Sequence, residues 1–176
     1  MSEKLPSREQ ALQLLRENQC PEEVIDHCKA VTKIALETAN ALKERGFKID
    51  SVLVEVGALL HDIGRSKTHT VHHAVVGAEI AKSAGLPDSV VSVIKRHVGG
   101  GITPSEANKL GWPEDIYVPN TIEEEIVSYA DKLIENSKRA PIEITIEKLN
   151  REQKVEAAAR VRKLYNKITN LIDDDP

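Results

Sequence analysis

The chain has 176 residues, which is enough for one domain with a core of its own. Hydrophobic residues make up 40% and charged residues 30%, a balance that argues against disorder, and the 3% of aromatic residues favours an aliphatic helical core over a β-sandwich. The net charge of −4 and the lack of a long basic run argue against an extended nucleic-acid surface.

The sequence contains no run as long as a membrane span, and its first twenty residues carry too many charges for a secretory signal. Its two cysteines, Cys20 and Cys28, do not form a disulfide framework, and a reducing compartment is their simplest setting. We therefore expect a cytoplasmic protein that makes no membrane contact. Because no repeat or linker interrupts residues 1–176, we expect them to form a single domain.

Most of the chain follows the helical period. Ser7 and Gln10 are spaced as a capping box, which predicts a first helix that ends near Asn18. A second helix is predicted to follow Pro21 and to end at Gly46, which occupies the position of a C-terminal glycine cap.

Three further helices are predicted in the middle of the chain. The first begins after Asp50 as N-cap and ends at Gly64, and the second covers about residues 71–84. The third follows Pro87 and ends before the glycines at 99–101. The irregular stretch that comes next contains a short helix at 104–110, predicted from Thr103 as N-cap, Pro104 at the first helical position and Glu106 three residues after the cap.

Two long helices complete the prediction. Thr121 and Glu124 are spaced as a capping box for a helix that runs to about Ser137, and a last amphipathic helix covers about residues 145–173. No segment shows strand alternation, so the predicted fold class is all-α. The last helix either covers the core or forms a dimer face, which leaves the oligomeric state open.

Histidine and aspartate side chains fall on the core-facing stripes or at the ends of five of these helices. The residues are His27, His61, Asp62, His73, His97 and Asp131. Buried ionisable groups are costly unless they are compensated, and a metal ion compensates all of them together. Mixed imidazole and carboxylate ligands suit a divalent transition metal such as Mn, Fe, Zn, Co or Ni.

The order of these residues is similar to that of a known family. His27, then His61-Asp62 followed by Ile63-Gly64, and then Asp131 resemble the His…His-Asp…Asp pattern of the HD superfamily of metal-dependent phosphohydrolases, in its HDIG branch. The resemblance covers about residues 24–137. It implies an HD-domain helical bundle, to which this chain adds a C-terminal helix.

The resemblance also implies a set of metal ligands and two catalytic residues, Asp62 and His61. The implied ligands of a first metal ion are His27, His61, Asp62 and Asp131. Asp62 would bridge to a second ion held by His73 and His97, so that one or two ions are bound per chain. His97 is not followed by the Gly-Tyr-Pro signature, which argues against a cyclic-di-GMP phosphodiesterase of the HD-GYP kind.

Four residues beside these motifs are candidates for substrate binding: Arg65, Lys67, His72 and Arg96. Arginine binds phosphate through paired N–H donors, although exposed loop cations are common without a ligand. Trp112 and Tyr117 either stack on a base or fill a small apolar cluster. The predicted partner is a small phosphorylated molecule, of which a nucleotide is one example.

Three functions remain open from the sequence. The leading hypothesis is hydrolysis of a phosphomonoester or phosphodiester by a metal-activated water molecule. The second is a di-iron oxygenase of a small polyol or phosphonate, which the same six ligands would serve. The third is a non-catalytic nucleotide-binding protein, which the complete ligand set argues against.

Overall fold

The computed structural model describes residues 4–173, which fold into a helical bundle with one very short hairpin. The elements are α1 (Arg8–Glu17), α2 (Glu22–Glu44), α3 (Ser51–Leu60), α4 (His73–Ser83), α5 (Asp88–Lys95), α6 (Pro104–Lys109), α7 (Ile122–Asp131), β1 (Ile134–Glu135), β2 (Lys138–Arg139), α8 (Ile142–Arg151) and α9 (Val155–Asp173). Single 3₁₀ turns follow α3 and α5. The all-α prediction is confirmed.

Helix α3 lies at the centre of the bundle. The Asp50 carboxylate accepts a hydrogen bond from the Leu53 amide at 3.1 Å and so caps the helix. Almost all of its side chains from Leu53 to Leu60 are buried, and it packs against α1, α2, α5 and α7. Because a helix that is apolar on all sides must be covered on all sides, its C-terminal end lies inside the protein. His61 and Asp62 follow at that end.

The prediction of a single last helix over about residues 145–173 is wrong, because two helices, α8 and α9, occupy this part of the chain. Helix α8 begins after Pro141, and a loop separates it from α9. In this loop Gln153 has a φ of 62°, and the Lys154 amide donates to the Leu149 carbonyl at 2.8 Å. This closure resembles a Schellman cap, for which glycine is the usual residue. A glutamine in that position gives no signal in the sequence.

Helix α7 ends at Asp131 rather than near Ser137, which corrects its predicted C-terminus. Asn136 and Ser137 have positive φ values of 50° and 63°, and they form the turn of the hairpin between β1 and β2. At the other end, Thr121 caps the helix, but Glu124 does not complete a capping box. Its carboxylate binds Arg96 instead, at 2.7 and 2.9 Å.

The segment between α5 and α7 holds a small second core. Trp112 and Tyr117 contact each other edge to face at 4.9 Å between ring centroids, and they pack with Ala74 and Ile102. Of the two roles considered for these aromatic residues, the structure therefore supports the apolar cluster. Across residues 4–173, no helix combines the length and the apolar character needed to cross a bilayer.

Candidate metal centre

The ends of several helices converge on one point near the C-terminus of α3. His27 comes from the first turns of α2, His61 and Asp62 follow α3, His73 begins α4, His97 follows α5, and Asp131 ends α7. A glycine allows this convergence, because a Cβ added to Gly64 would overlap the His73 carbonyl oxygen. The chain after Asp62 can therefore lie directly against the first turn of α4.

Four of these residues form a first cluster. Asp131 Oδ1 lies 2.9 Å from His27 Nε2 and 3.2 Å from His61 Nε2. Asp62 Oδ2 lies 3.4 and 3.5 Å from the same two nitrogens. One nitrogen or oxygen from each residue lies within 4.8 Å of every other, a spacing that matches the ligands of a single ion.

The other oxygen of Asp62 belongs to a second cluster. Asp62 Oδ1 lies 3.1 Å from His73 Nε2 and 3.2 Å from His97 Nε2, and the two histidine nitrogens are 3.1 Å apart. All three side chains are buried. Asp62 thus offers one oxygen to each cluster, as a carboxylate that bridges two ions does.

Backbone carbonyls determine which ring nitrogen of the buried histidines carries the proton. Nδ1 of His61, His73 and His97 lies 2.6, 2.7 and 2.6 Å from the carbonyl oxygens of Ala58, Thr70 and Ile94, respectively. A carbonyl only accepts, so Nδ1 donates, and in the neutral ring Nε2 is left as a lone pair directed into the cluster.

This arrangement fits a cation. The lone pairs at Nε2 of His73 and His97 face each other and Asp62 Oδ1, so three acceptors meet without a donor among them. Such a contact is unfavourable unless a positive charge lies between the groups. The mixture of imidazole and carboxylate donors is suited to a divalent transition metal.

The electrostatics of the centre also favour a bound positive charge. Burial lowers the pKa of His97 to about 4, so this ring is neutral at pH 7 and can act as a ligand. Burial opposes ionisation of Asp62 and Asp131, but His61 beside Asp62 and Lys132 beside Asp131 hold the pKa of both carboxyl groups well below the usual range. Burial disfavours the charged form of His61 too, yet the neighbouring Asp62 raises its pKa.

Lys132 is a residue of the centre that the sequence did not reveal as such. Its buried ammonium donates to the His97 carbonyl at 2.7 Å, to Asp131 Oδ2 at 3.0 Å and to the Ser128 carbonyl at 3.4 Å. The Ser128 hydroxyl donates to the same His97 carbonyl at 3.0 Å. One side chain therefore links a ligand of the first cluster to a ligand of the second. Its position next to Asp131 was the only signal available.

The clusters lie at the bottom of a cleft with a volume of about 780 Å³. Of the four predicted substrate contacts, Arg65 lines this cleft, where its Nε lies 3.2 Å from Asp62 Oδ2. The cleft also contains polar residues that were not among the predicted substrate contacts, from the loop before α4, from α6, and from α8 and the loop after it. They include His69, Glu106, Lys109, Lys148 and Lys154.

The other three predicted contacts lie elsewhere. Within residues 4–173, the lining of the cleft does not include Lys67, His72 or Arg96. Lys67 is exposed, and His72 Nδ1 accepts a hydrogen bond from Trp112 Nε1 at 2.8 Å. Arg96 is held by Glu124. The structure therefore brings the six predicted ligands together, whereas it groups only one of the predicted substrate contacts with them.

Three comparisons place the chain among known proteins. The uncharacterized protein MJ0778 of Methanocaldococcus jannaschii is 43% identical over 166 residues, which cover 93% of this chain and 98% of that protein. The tRNA (cytidine(56)-2'-O)-methyltransferase of Picrophilus torridus is 37% identical over 171 residues, which cover 97% of this chain and 49% of the enzyme. This chain thus spans about half the length of that methyltransferase.

A solved structure shares the fold. The HD domain of the phosphodiesterase PgpH of L. monocytogenes, in complex with cyclic-di-AMP, matches with a TM-score of 0.56 at 18% identity, over 93% of this chain and 98% of that domain. Residues 24–136, which contain all six clustered residues, match the HD domain family itself. The chain belongs to the HD domain family.

Proposed function

We propose that this protein is a metal-dependent phosphohydrolase that cleaves a phosphomonoester or phosphodiester bond in a nucleotide or a related small molecule. The observation that carries the proposal is the Asp62 carboxylate, which offers one oxygen to each of two ligand clusters. Two divalent ions held a few ångströms apart by a shared carboxylate are a common arrangement in enzymes that hydrolyse phosphate esters.

The ligand sets follow from the two clusters. His27, His61, Asp62 and Asp131 would hold one ion, and Asp62, His73 and His97 would hold the other. When bound, divalent transition metals lower the pKa of a coordinated water molecule towards neutrality and offset the charge that develops on the phosphoryl group. Mn, Fe, Zn, Co and Ni all accept this donor set.

Arg65 is the residue we assign to the substrate phosphate. Its guanidinium lies in the cleft and contacts Asp62 Oδ2 at 3.2 Å, so it is directed to the edge of the first cluster. The planar N–H donors of arginine pair well with phosphate oxygens. Arg65 would hold an oxygen that does not react, while Asp62 orients the attacking water molecule.

The size and lining of the cleft support a nucleotide-sized substrate. Its volume of about 780 Å³ lies in the range of sites for small molecules. The apolar side chains of Ile102, Leu110 and Leu149 provide a surface for a ring, and Lys109 and Lys148 add positive charge to the lining. The PgpH domain that shares this fold is described in complex with a cyclic dinucleotide, which agrees with this assignment.

Methyl transfer does not form part of this proposal. The chain spans only half of the related methyltransferase, and the described residues of the centre are arranged as metal ligands. We therefore assign hydrolysis to this chain and leave methyl transfer to that enzyme.

The test is hydrolysis of p-nitrophenyl phosphate and bis-p-nitrophenyl phosphate by protein loaded with Mn, Co or Ni. We expect turnover that is lost in His61→Ala and Asp62→Asn, with two metal equivalents per wild-type chain. Asp26→Asn is the matched control, because Asp26 is an exposed aspartate on α2 that does not line the cleft. Turnover that persists in Asp62→Asn would refute the assignment. Iron together with O₂ consumption would indicate an oxygenase, and nucleotide binding without turnover would indicate a binding protein.

A further inference from the structure

His69 lines the cleft but belongs to neither ligand cluster. His69 lies in the loop between the 3₁₀ turn and α4, it is exposed, and it lines the cleft together with Arg65 and Thr70. Arg65 fixes the loop, because its guanidinium contacts Asp62 Oδ2 at 3.2 Å and donates to the His69 carbonyl at 3.2 Å. The Arg65 guanidinium thus contacts both the bridging Asp62 carboxylate and the backbone of His69.

Hydrolysis of a phosphate ester is accelerated by a proton donor for the leaving oxygen when that oxygen would otherwise leave as a strongly basic anion. The four clustered histidines are poorly placed for this role, because each directs Nε2 into a cluster. In His61, His73 and His97, moreover, the proton on Nδ1 is held by a backbone carbonyl.

The other ionisable groups of the cleft do not suit the role either. The three protons of the Lys132 ammonium match three acceptors, the carbonyls of His97 and Ser128 and the Asp131 carboxylate. Glu106 is bound by Arg160 at 2.6 and 2.9 Å and is held as a carboxylate. Carboxylic acids ordinarily lose their proton well below neutral pH, and lysine ammonium groups hold theirs well above it.

His69 differs from all of these groups. Its ring forms no hydrogen bond or ion pair with any other residue in the described range 4–173, so both ring nitrogens are available to a ligand in the cleft. Imidazole is also the side chain that ordinarily exchanges a proton near neutral pH.

We infer that His69 is the general acid that protonates the leaving group, an inference that rests on the proposed phosphohydrolase function. Water oxygen forms the new bond to phosphorus and releases one proton to solvent. The bond between phosphorus and the leaving oxygen breaks, and its electron pair stays on that oxygen. The oxygen takes the proton of the His69 imidazolium, and the neutral ring regains a proton from solvent.

The experiment compares two substrates that differ in their need for this proton. Bis-p-nitrophenyl phosphate releases an anion that is stable near neutral pH, whereas diphenyl phosphate releases a phenolate whose conjugate acid has a pKa of about 10. We expect His69→Gln to lower kcat for diphenyl phosphate by about 100-fold or more, and for bis-p-nitrophenyl phosphate by less than about tenfold. Metal content should stay at that of the wild type.

Chemical rescue supplies a second readout that a purely structural role would not change. Imidazole added to His69→Ala should restore part of the hydrolysis of diphenyl phosphate, and it should have no such effect on Asp62→Asn. An equal loss for both substrates, or the absence of rescue, would overturn the assignment of His69 while the phosphohydrolase function stands. If the wild-type protein hydrolyses neither substrate with any of the metals, the proposed function itself fails.

Discussion

Gly64 offers the most direct test of how the fold positions the second cluster. In Gly64→Ala the new Cβ would overlap the His73 carbonyl oxygen and lie 2.8 Å from the Gly77 amide nitrogen. Both are backbone atoms of α4, so no side-chain rotation can relieve the contact. The 3₁₀ turn after Asp62 and the first turns of α4 must therefore move apart.

The size of the effect follows from this geometry. Overpacking of a dense core costs about 1–3 kcal/mol, and a clash with backbone belongs at the upper end, so we expect the free energy of unfolding to fall by about 3 kcal/mol. The same displacement would move His73 Nε2 away from Asp62 Oδ1, which lies at 3.1 Å in the native protein. We expect the second cluster to lose its ion, and the metal content to fall from two equivalents per chain to one.

Urea unfolding of the metal-free protein measures the first effect, and elemental analysis after dialysis measures the second. Gly85→Ala is the control, because Gly85 has a φ of 76° and nothing lies within 4 Å of its added Cβ. It should cost about 1–2 kcal/mol from backbone strain and leave the metal content unchanged. If Gly64→Ala keeps the wild-type stability and both ions, close approach at this glycine does not position His73.

Three further perturbations test other parts of the molecule. Lys132→Met removes the buried ammonium that pairs with Asp131 Oδ2 and donates to the His97 carbonyl, so we expect about 3 kcal/mol of lost stability in urea and faster loss of metal on dialysis. Arg160→Ala removes the partner of Glu106, whose pKa is lowered from 4.5 against the effect of burial by the Thr103 amide and Arg160. The stabilisation from ionised Glu106 is present above pH 4.5 and is lost as pH falls through the lowered pKa. The loss on substitution, about 1 kcal/mol, should therefore be seen in thermal melts at pH 7 and be smaller at pH 3. Burial raises the pKa of Cys20 to about 11 and also raises that of Cys28, so Ellman's reagent at pH 8 should label neither thiol in the native protein and both in urea; rapid labelling of the folded protein would contradict this burial.

Helix starts were predictable from the sequence where the signal is local. The capping boxes at Ser7 and Thr103 form as predicted, because each requires only two residues three positions apart. At Thr121 only one of the two hydrogen bonds of a capping box forms, the one from the Glu124 amide to the Thr121 side chain. Its Glu124 carboxylate binds Arg96, which lies 28 residues away in the chain, and this pairing also takes Arg96 out of the set of predicted substrate contacts. A long-range ion pair thus accounts for two departures from the local pattern.

The candidate ligands were also accessible from the sequence, since helical periodicity indicates which residues face a common core. The protonation of those ligands and their hydrogen-bond partners could not be predicted from the sequence. The proton positions on His61, His73 and His97 depend on backbone carbonyls, and the role of Lys132 depends on the carbonyl of His97. Carbonyl directions are a property of the assembled helices, so no spacing of residue types reveals them.

The cleft divides into two parts with different origins along the chain. All six ligands lie within residues 24–136, the range that matches the HD domain family. Lys148, Leu149 and Lys154 line the same cleft but come from α8 and the loop after it, beyond that range. The residues arranged as metal ligands therefore lie in the family core, whereas part of the lining of the cleft comes from a segment that the family match does not cover. For this reason the HD pattern alone does not predict the whole lining of the cleft, which α8 and the loop after it complete.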